Sequence, residues 1–288
     1  MSRTRRQPAE SVGDVPFHPT HPTLDQAHDL ARTISRGDDY SSPFATRVAR
    51  HIDLDDKCLA FLRRLQSDPI VVPADTNIFK VNGPVRQLYI AQAGCAMSYS
   101  ILSGGHRHID RIFLPGDMIG LEDINWRHHT SNVRSVTPVV LTGFTKTALR
   151  CIFEDSPRMA RTIFSMSMMD TSHLFDRLKA VGRLGARARV AAFMLQMWSR
   201  SQAAGTAVED KGFFLPLTQT EIGDAIGLTN VSVSRAMTAL EDADCIRREG
   251  MRVRLLDMDR LVRMTDYFDR TLHVDRDWIS SREVVANT

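Results

Sequence analysis

The side chains best suited to recognising a ligand lie at the start of a predicted helix in the C-terminal part of the chain. Six of them remain outside when the apolar residues of this helix turn inward: Asn230, Val231, Ser232, Ser234, Arg235 and Thr238. Small and hydrogen-bonding side chains at the start of an exposed helix, followed by one arginine a turn later, suit a helix in the DNA major groove. The spacing alone equally allows an ordinary helical hairpin, because short helix–turn–helix patterns are common by chance.

These side chains are positioned by residues 217–241, whose pattern predicts two short helices joined by a turn. The first helix is predicted from Thr218 to about Ala225, and Gly227 supplies the turn because glycine adopts a positive φ at little cost. Thr229 or Asn230 is predicted to cap the second helix. The inward residues of the two helices follow helical spacing: Ile222, Ala225, Ile226, Val233, Ala236, Met237 and Leu240.

The composition is that of a globular protein. The 288 residues are 43% hydrophobic and 25% charged, and they suffice for two domains of ordinary size. No apolar run reaches the roughly 18 residues of a membrane span, and no apolar core follows the N-terminal arginines as in a secretory signal. The four cysteines are far apart and form no C-x-x-C pair. This favours a reducing cytoplasm and disfavours a disulfide framework, a zinc site or an iron–sulfur cluster.

The net charge does not by itself predict nucleic-acid binding. The formal charge is +3 at pH 7, and from Arg183 to the C-terminus 15 Lys and Arg balance 15 Asp and Glu. A DNA-binding face must therefore arise from the local placement of arginines. The candidates are Arg235, Arg247, Arg248, Arg252 and Arg254.

Residues 43–155 are predicted to form a sensor domain with a double-sheet β jelly-roll barrel. Residues 1–42 lack apolar periodicity and are predicted to be a mobile tail, with a helical patch near residues 24–34. Residues 43–65 have helical spacing. Seven runs of β-forming residues follow at 70–72, 77–79, 86–92, 95–101, 108–114, 133–136 and 139–144. Short strands separated by Gly- and Pro-containing turns are typical of such a barrel.

Residues 156–184 form one long helical pattern with a broad apolar stripe. Phe164, Met168, Thr171, Phe175, Leu178 and Gly182 follow heptad spacing, and Ile163, Met166, Leu174 and Val181 widen the stripe. One edge of such a stripe can pack on the barrel while the other pairs with a second copy. A purely intramolecular core helix is the alternative. We predict a dimerisation helix, because helix-turn-helix proteins usually bind two half-sites.

Residues 185–264 are predicted to form a winged helix-turn-helix domain, which makes the fold class α+β. A helix over residues 186–200 and an extended segment at 213–217 precede the two-helix motif. Residues 244–248 and 252–255 flank Glu249-Gly250 and predict a β-hairpin wing. A last helix is predicted within residues 257–268, and residues 265–288 are predicted to be a C-terminal tail.

This order of elements resembles the cyclic-AMP receptor protein and FNR family of bacterial transcription regulators, over about residues 55–264. Three motifs carry the resemblance. Residues 114–120 read LPGDMIG, and residues 181–183 and 188–191 read VGR and ARVA. The most specific motif spans residues 217–250 and reads LTQTEIGDAIGLTNVSVSRAMTALEDADCIRREG. The resemblance implies a cyclic-nucleotide-binding-like barrel, a homodimer and sequence-specific DNA binding.

The resemblance also implies roles for individual residues. The second helix of the motif would read bases with Asn230, Val231, Ser234 and Arg235. Arg235 is a natural bidentate partner for guanine. Val231 stands where many members carry glutamate, so we expect a half-site unlike that of the best-known members. Phosphate contacts are implied for Thr218, Gln219 and Ser232, with Arg252 of the wing as a further candidate.

The effector of the barrel is not predicted. Members that bind cyclic AMP carry a Gly-Glu pair and, further on, an Arg-Ser pair. The corresponding residues here are Gly120, Glu122, His129 and Thr130, which supply no arginine for the phosphate. We therefore expect no cyclic nucleotide in an effector pocket at these residues. Haem or another metal could in principle be bound by His106, His108, His128, His129 or His173, but single histidines are far more often exposed to solvent, so we predict no cofactor and no metal site.

The predicted partners are double-stranded DNA, a second copy of the chain, an unknown effector and, if the regulator is an activator, RNA polymerase. The protein is expected in the cytoplasm and without a membrane contact. The alternative is a small-molecule-binding or protein-interaction module without specific DNA binding. No nucleophile–base pair, phosphate-binding loop or metal-ligand spacing indicates an enzyme.

Overall fold

The structure is a computed structural model that describes residues 18–36, 42–54, 58, 62 and 68–280. The parts of the predicted tails at residues 1–17, 37–41 and 281–288 lie outside the described residues. So does most of the helical pattern after residue 54, of which Cys58 and Leu62 are described as helical and buried.

Eleven strands are present in the described part of the chain. They are β1 Pro69–Val72, β2 Asn77–Phe79, β3 Gln87–Ala93, β4 Ala96–Ile101, β5 Arg107–Phe113, β6 Met118–Ile119, β7 Asn132–Ser135, β8 Val139–Thr145, β9 Gly212–Phe214, β10 Ile246–Glu249 and β11 Arg252–Leu255. The first eight form two four-stranded antiparallel sheets, ordered β1-β8-β3-β6 and β2-β7-β4-β5. The predicted jelly-roll barrel is therefore present. The sequence predicts its strands to within one residue at each end, except β6, which is too short to leave an alternating pattern.

The described helices surround the barrel and build the C-terminal domain. They are α1 Leu24–Arg36, α2 Pro43–Ala49, α3 Lys146–Asp155, α4 Pro157–Arg183, α5 Ala186–Ala203, α6 Gln219–Ile226, α7 Asn230–Glu241, α8 Met258–Thr265 and α9 Arg276–Ser280. Two short 3-10 helices, Leu121–Asp123 and Arg270–Leu272, interrupt the loops. No helix among these is both long and apolar enough to cross a membrane.

The helical patch predicted near residues 24–34 is confirmed, whereas the mobile tail predicted around it is wrong for residues 24–36. These residues form α1, which packs against β1 and β8. Ala27, Leu30 and Ala31 belong to the same buried cluster as Val140 of β8. Their spacing of three and one gives α1 a narrow apolar face, which the many polar neighbours conceal in the composition.

The tail predicted over residues 265–288 is likewise wrong for residues 269–280. Arg270 donates from Nε and Nη2 to the carboxylate of Asp176 in α4, at 3.0 Å each. Ile279 of α9 is fully buried and belongs to the same cluster as Phe44 and Ile163. Single anchoring residues of this kind leave no periodic signal in the sequence, because each depends on a distant partner.

The barrel and the C-terminal domain share one buried apolar core. Met97 and Ile109 of the barrel belong to the same cluster as Phe193 and Met194 of α5 and Phe213 of β9. Burial of each such side chain stabilises the fold by about 1.5–3 kcal/mol. The two domains are therefore packed together rather than joined only by a linker.

A buried carboxylate, Asp117, joins three elements at this junction. It is 2% exposed and pairs with Arg47 of α2 and with Arg200 of α5, whose Nη2 lies 2.6 Å from Asp117 Oδ2. The amide of Leu114 donates to the same oxygen at 2.7 Å, and Arg111 Nη2 of β5 lies 3.8 Å from Oδ1. Burial by itself would raise the pKa of Asp117. The guanidinium groups of Arg200, Arg47 and Arg111 outweigh burial and hold that pKa well below its usual range.

Replacing Asp117 by asparagine should lower the free energy of unfolding by about 3–5 kcal/mol, because buried guanidinium groups lose their counter-charge. Urea denaturation at pH 7 measures this change. The matched control is Asp29→Asn, which removes an exposed pair with Arg32 and should change stability by less than about 1 kcal/mol. An Asp117→Asn variant as stable as the wild type would contradict the role of this carboxylate.

The difference in stability between the wild type and Asp117→Asn should depend on pH in a defined direction. Because the folded-state pKa of Asp117 is depressed, its stabilising contribution is complete above the unfolded-state pKa of about 3.9. The contribution is lost as the pH falls below that value. The difference in stability between wild type and Asp117→Asn should therefore shrink only in strong acid.

Candidate nucleic-acid interface

The first helix of the predicted motif, α6, begins with a reciprocal cap. Thr218 Oγ1 accepts a hydrogen bond from the amide of Glu221 at 3.2 Å, and Glu221 Oε2 accepts one from the amide of Thr218 at 2.9 Å. The T-x-x-E spacing at residues 218–221 is the sequence signal for this capping box. The prediction of a helix from Thr218 to about Ala225 did not include this cap.

The turn and the second helix, α7, follow the predicted pattern. Gly227 ends α6 with φ of 67°, in the left-handed region that favours glycine. Thr229 caps α7, and its Oγ1 accepts from the amide of Ser232 at 3.2 Å. The hydroxyl of Thr229 also donates to that of Ser232 at 2.9 Å. The predicted phosphate-contacting residue Ser232 is thus engaged in the cap.

The outer face of α7 is exposed at three of the four positions predicted to contact bases. Val231 is 58% exposed, and Asn230 and Arg235 are exposed as well. Ser234 is half-buried. Arg235 has no hydrogen-bond or ion-pair partner within the described residues. The predicted inward residues, Val233, Ala236, Met237 and Leu240, are all buried. The helix therefore presents an unpaired guanidinium group beside an apolar and an amide side chain.

The wing arginines differ in how far they are already engaged. Arg248 donates to both carboxylate oxygens of Glu241, at 2.8 and 2.6 Å, and these hydrogen bonds lower the pKa of Glu241. Arg252 lies partly buried against the carbonyl oxygen of Glu209, at 3.5 Å. Arg247 is exposed and makes no ion pair in the described part of the chain. Among the predicted wing candidates, Arg247 is therefore freer for a phosphate than Arg252.

Two ion pairs hold α6 against the barrel. Arg107 Nε of β5 lies 2.8 Å from Asp224 Oδ2, and Arg134 Nη2 of β7 lies 2.7 Å from Glu221 Oε1. The predicted phosphate-contacting residues Thr218 and Gln219 lie at the start of the helix held in this way. Neither ion pair was predicted from the sequence, because the two residues of each pair are about a hundred positions apart in the chain.

The apolar stripe of α4 divides into a buried and an exposed edge. Ile163 and Met166 are buried. The four residues predicted to form the dimer contact are all about half exposed or more, with Phe175 at 61% and Leu178 at 66%; the other two are Phe164 and Met168. Leu174 and Val181 are exposed beside them. The described residues leave most of this row of large apolar side chains uncovered, and only Phe164 among the four has an aromatic contact there, with Trp278 at a centroid distance of 6.3 Å.

The predicted effector-pocket residues surround the 3-10 helix Leu121–Asp123 but do not all face one cavity. His129 is buried, and its Nδ1 lies 2.8 Å from Asp123 Oδ2. Thr130 Oγ1 donates to Asp123 Oδ1 at 2.7 Å. The ring of His129 also stacks on Phe79, with centroids 4.0 Å apart. The segment that would carry the phosphate-binding arginine is thus tied to Asp123.

A cavity of about 620 Å³ lies between the barrel and helices α4 and α5. Glu122 and Thr130 border this cavity, whereas Gly120 and His129 do not. Two of the four residues predicted for the effector pocket thus lie on one cavity, and effector binding there stays a prediction. His129 faces inward because the buried carboxylate of Asp123 binds it.

The lining of the cavity combines hydroxyl groups and charged side chains with apolar side chains such as Ile112, Leu121 and Phe193, and apolar atoms form the larger part of its surface. Its hydroxyl groups belong to Ser98, Ser100, Thr130, Ser131, Ser167 and Thr171. Arg111 and Asp170 form an ion pair of 2.7 Å in its wall. Burial raises the pKa of Glu122, and burial together with the charge of Arg200 lowers the pKa of His173 to about 4. No group of three His, Cys, Asp or Glu residues is placed to hold a metal ion in the described ranges.

Comparison with known proteins places these features in a family. Residues 188–264 match the model of the Crp-like helix-turn-helix domain. The chain is 29% identical over 184 residues to the nitrogen fixation regulation protein FixK of Bradyrhizobium diazoefficiens. The aligned region covers 64% of this chain and 76% of that protein. The chain is 23% identical over 188 residues to the anaerobic regulatory protein of Haemophilus influenzae, covering 65% and 72%.

Solved structures of similar fold include regulators of the same kind as these relatives. FixK2 from Bradyrhizobium japonicum superimposes with a TM-score of 0.62 and 26% identity, covering 70% of this chain and 98% of that chain. A Crp-family regulator from Thermus thermophilus, TTHB099, matches with a TM-score of 0.53 and 21% identity, covering 69% and 97%. These matches agree with the barrel, the long helix and the winged helix-turn-helix described above. The Crp-like helix-turn-helix domain and these relatives support the Crp/FNR family and a function as a DNA-binding transcription regulator.

Proposed function

We propose that this transcription regulator binds a near-palindromic DNA site as a homodimer and that its N-terminal barrel modulates the binding. The observation that carries the proposal is a pair of surfaces that remain exposed among the described residues. One is the outer face of α7, and the other is the apolar row on α4. A two-fold dimer through α4 would present two copies of α7 to successive turns of one DNA face.

The dimer contact uses the exposed edge of α4. Phe164, Met168, Phe175 and Leu178 recur at heptad-like spacing along one side of this helix. Burial of each against a second copy would contribute on the order of 1.5–3 kcal/mol. A contiguous apolar patch of this kind is unusual on a monomer and is typical of an interaction surface.

The base contacts follow from the chemistry of the outer face of α7. Arg235 can donate two hydrogen bonds to guanine O6 and N7, and Asn230 can bind adenine through its amide. Val231 has no hydrogen-bonding group and can pack on a thymine methyl group. Ser234 is compatible with several bases. Thr218, Gln219 and Arg247 are proposed to contact phosphates, which orient the domain without selecting a sequence.

The barrel cavity is the proposed effector site, with Glu122 and Thr130 in its wall. A cyclic nucleotide is not the proposed ligand. Members of the family that bind cyclic AMP have a phosphate-binding arginine at this place, whereas here His129 and Thr130 occupy it and bind Asp123. Effector binding would shift the population between arrangements of α4 and the DNA-binding domain. As a DNA-binding regulator the protein would act in the cytoplasm, with RNA polymerase as partner if it activates transcription.

Replacing Arg235 by alanine should weaken binding to the operator by about 1–3 kcal/mol and relax specificity at one base position. The operator is first obtained by selection and sequencing from random duplex DNA, and gel-shift titration then measures affinity. Arg263→Ala, which changes an exposed arginine on α8, is the matched control and should bind normally. Unchanged affinity of Arg235→Ala would refute this base contact. Failure of the wild type to enrich any two-fold site would favour the interaction module without specific DNA binding.

Replacing Leu178 by glutamate should convert the dimer to a monomer, because two symmetry-related carboxylates would enter an apolar contact. We expect the dimer dissociation constant to rise at least about a hundredfold, equivalent to roughly 1.4 kcal/mol for each copy. Sedimentation equilibrium measures this constant. Leu24→Glu, at the exposed start of α1, should leave the dimer intact. A Leu178→Glu variant that remains dimeric would exclude α4 as the interface.

A further inference from the structure

A second cavity lies at the hinge between α4 and the DNA-binding domain. Its volume is about 290 Å³, at the small end of the roughly 300–1,000 Å³ of typical ligand pockets. Its walls come from the end of α4, from α5, from the end of α6 and from residues 266–268. The family model of the DNA-binding domain ends at residue 264. The wall formed by residues 266–268 therefore lies outside the matched domain.

One side of this hinge cavity is apolar and aromatic. Phe193 of α5 and Tyr267 border it together with Phe268, which is 51% exposed. Leu184, at the end of α4, lies in the same wall. Three aromatic rings and a leucine around one cavity favour the burial of an apolar group.

The other side of the cavity carries more positive than negative charge. Arg183 is exposed and has no partner within the described residues, and Arg177 makes only a long hydrogen bond of 3.4 Å to the carbonyl oxygen of Ile109. Burial lowers the pKa of Arg177, so its charged form lacks full solvation. The carboxylate of Asp176 at this edge already binds Arg270.

A third arginine in the wall is engaged through both of its terminal nitrogens and defines the position of the hinge. Arg189 donates to the carbonyl oxygens of Val181 and Leu184 at 2.9 and 3.1 Å, and to those of Ile226 and Gly227 at 3.2 Å each. It therefore joins the C-terminal ends of α4 and α6, where the helix dipoles favour a cation. Arg189 is thus committed to the fold, and Arg177 and Arg183 remain for a ligand.

We propose that the hinge cavity binds a small carboxylate with an apolar body. The apolar body would lie against Phe193, Tyr267 and Phe268, and the carboxylate would pair with Arg177 and Arg183. Such an ion pair would give Arg183 a counter-charge and would add to the attraction that the Asp110 carboxylate already exerts on Arg177. Because the walls belong both to α4 and to the DNA-binding domain, an occupant would favour the present arrangement of the two. This last consequence rests on the proposed function, whereas binding itself does not.

Calorimetric titration of the full-length protein with octanoate tests the site, and octan-1-ol serves as the neutral comparison. Octanoate should bind at one site per chain, at least about tenfold more tightly than octan-1-ol, because only the carboxylate can pair with the arginines. No DNA is present, so this result is independent of operator binding. Absence of saturable octanoate binding, or equal binding of the alcohol, would overturn the proposal.

Variants then locate the bound carboxylate. Ala192→Phe fills the hinge cavity and should abolish binding, while Arg183→Gln should weaken it about tenfold, which corresponds to about 1.4 kcal/mol. Arg187→Gln changes an exposed arginine outside the cavity and should bind octanoate normally. If Ala192→Phe does not fold, the comparison of Arg183→Gln with Arg187→Gln decides. Binding that is weakened by Ser131→Phe, in the barrel cavity, and unaffected by the hinge variants would contradict the proposed location.

Discussion

The orientation of the DNA-binding domain depends first on the buried carboxylate of Asp117. This one carboxylate pairs with the guanidinium groups of α2 and α5 and lies 3.8 Å from that of Arg111 in β5, which is also paired with Asp170. A buried charge is tolerated only when it is paired, so separating α2 or α5 from the barrel would remove a counter-charge from Asp117. Arg200 carries this constraint from the barrel into α5, the first helix of the C-terminal domain, and the shared apolar core around Phe193 reinforces it.

This constraint determines which surfaces are occupied and which are free. The barrel holds α6 through Arg107–Asp224 and Arg134–Glu221, so the first helix of the motif faces the protein. Helix α7 follows after a tight turn and therefore faces outward with Arg235 unpaired. The exposed apolar row on α4 lies on the side of that helix that the barrel does not cover. A change in the barrel can thus reach the DNA-reading helix through charged pairs and packed side chains, without a flexible linker between them.

Local features of the fold were predictable because their causes are local. The two motif helices and their caps depend on residues three or four positions apart, and the turn depends on Gly227 alone. Strand ends follow from alternation and from turn residues nearby. The predicted tails failed for residues 24–36 and 269–280, since α1, Arg270 and Ile279 are held by partners far away in the chain. Gly120 and His129 do not border the cavity that Glu122 and Thr130 share, because the inward position of His129 depends on its bond to Asp123 and on packing against Phe79.

The sequence by itself determined the class of the protein: a barrel, a long helix with a heptad stripe and a winged helix-turn-helix with Arg235 on its outer face. Each of these elements follows from a pattern of neighbouring residues, which the sequence displays directly. Only the tertiary structure decided that Arg247 is freer than Arg252, that Glu122 and Thr130 share a cavity without His129, and that residues 266–268 close a second cavity at the hinge. Burial and ion pairing between distant residues govern all three, because the charge or exposure of a side chain depends on what the fold places beside it.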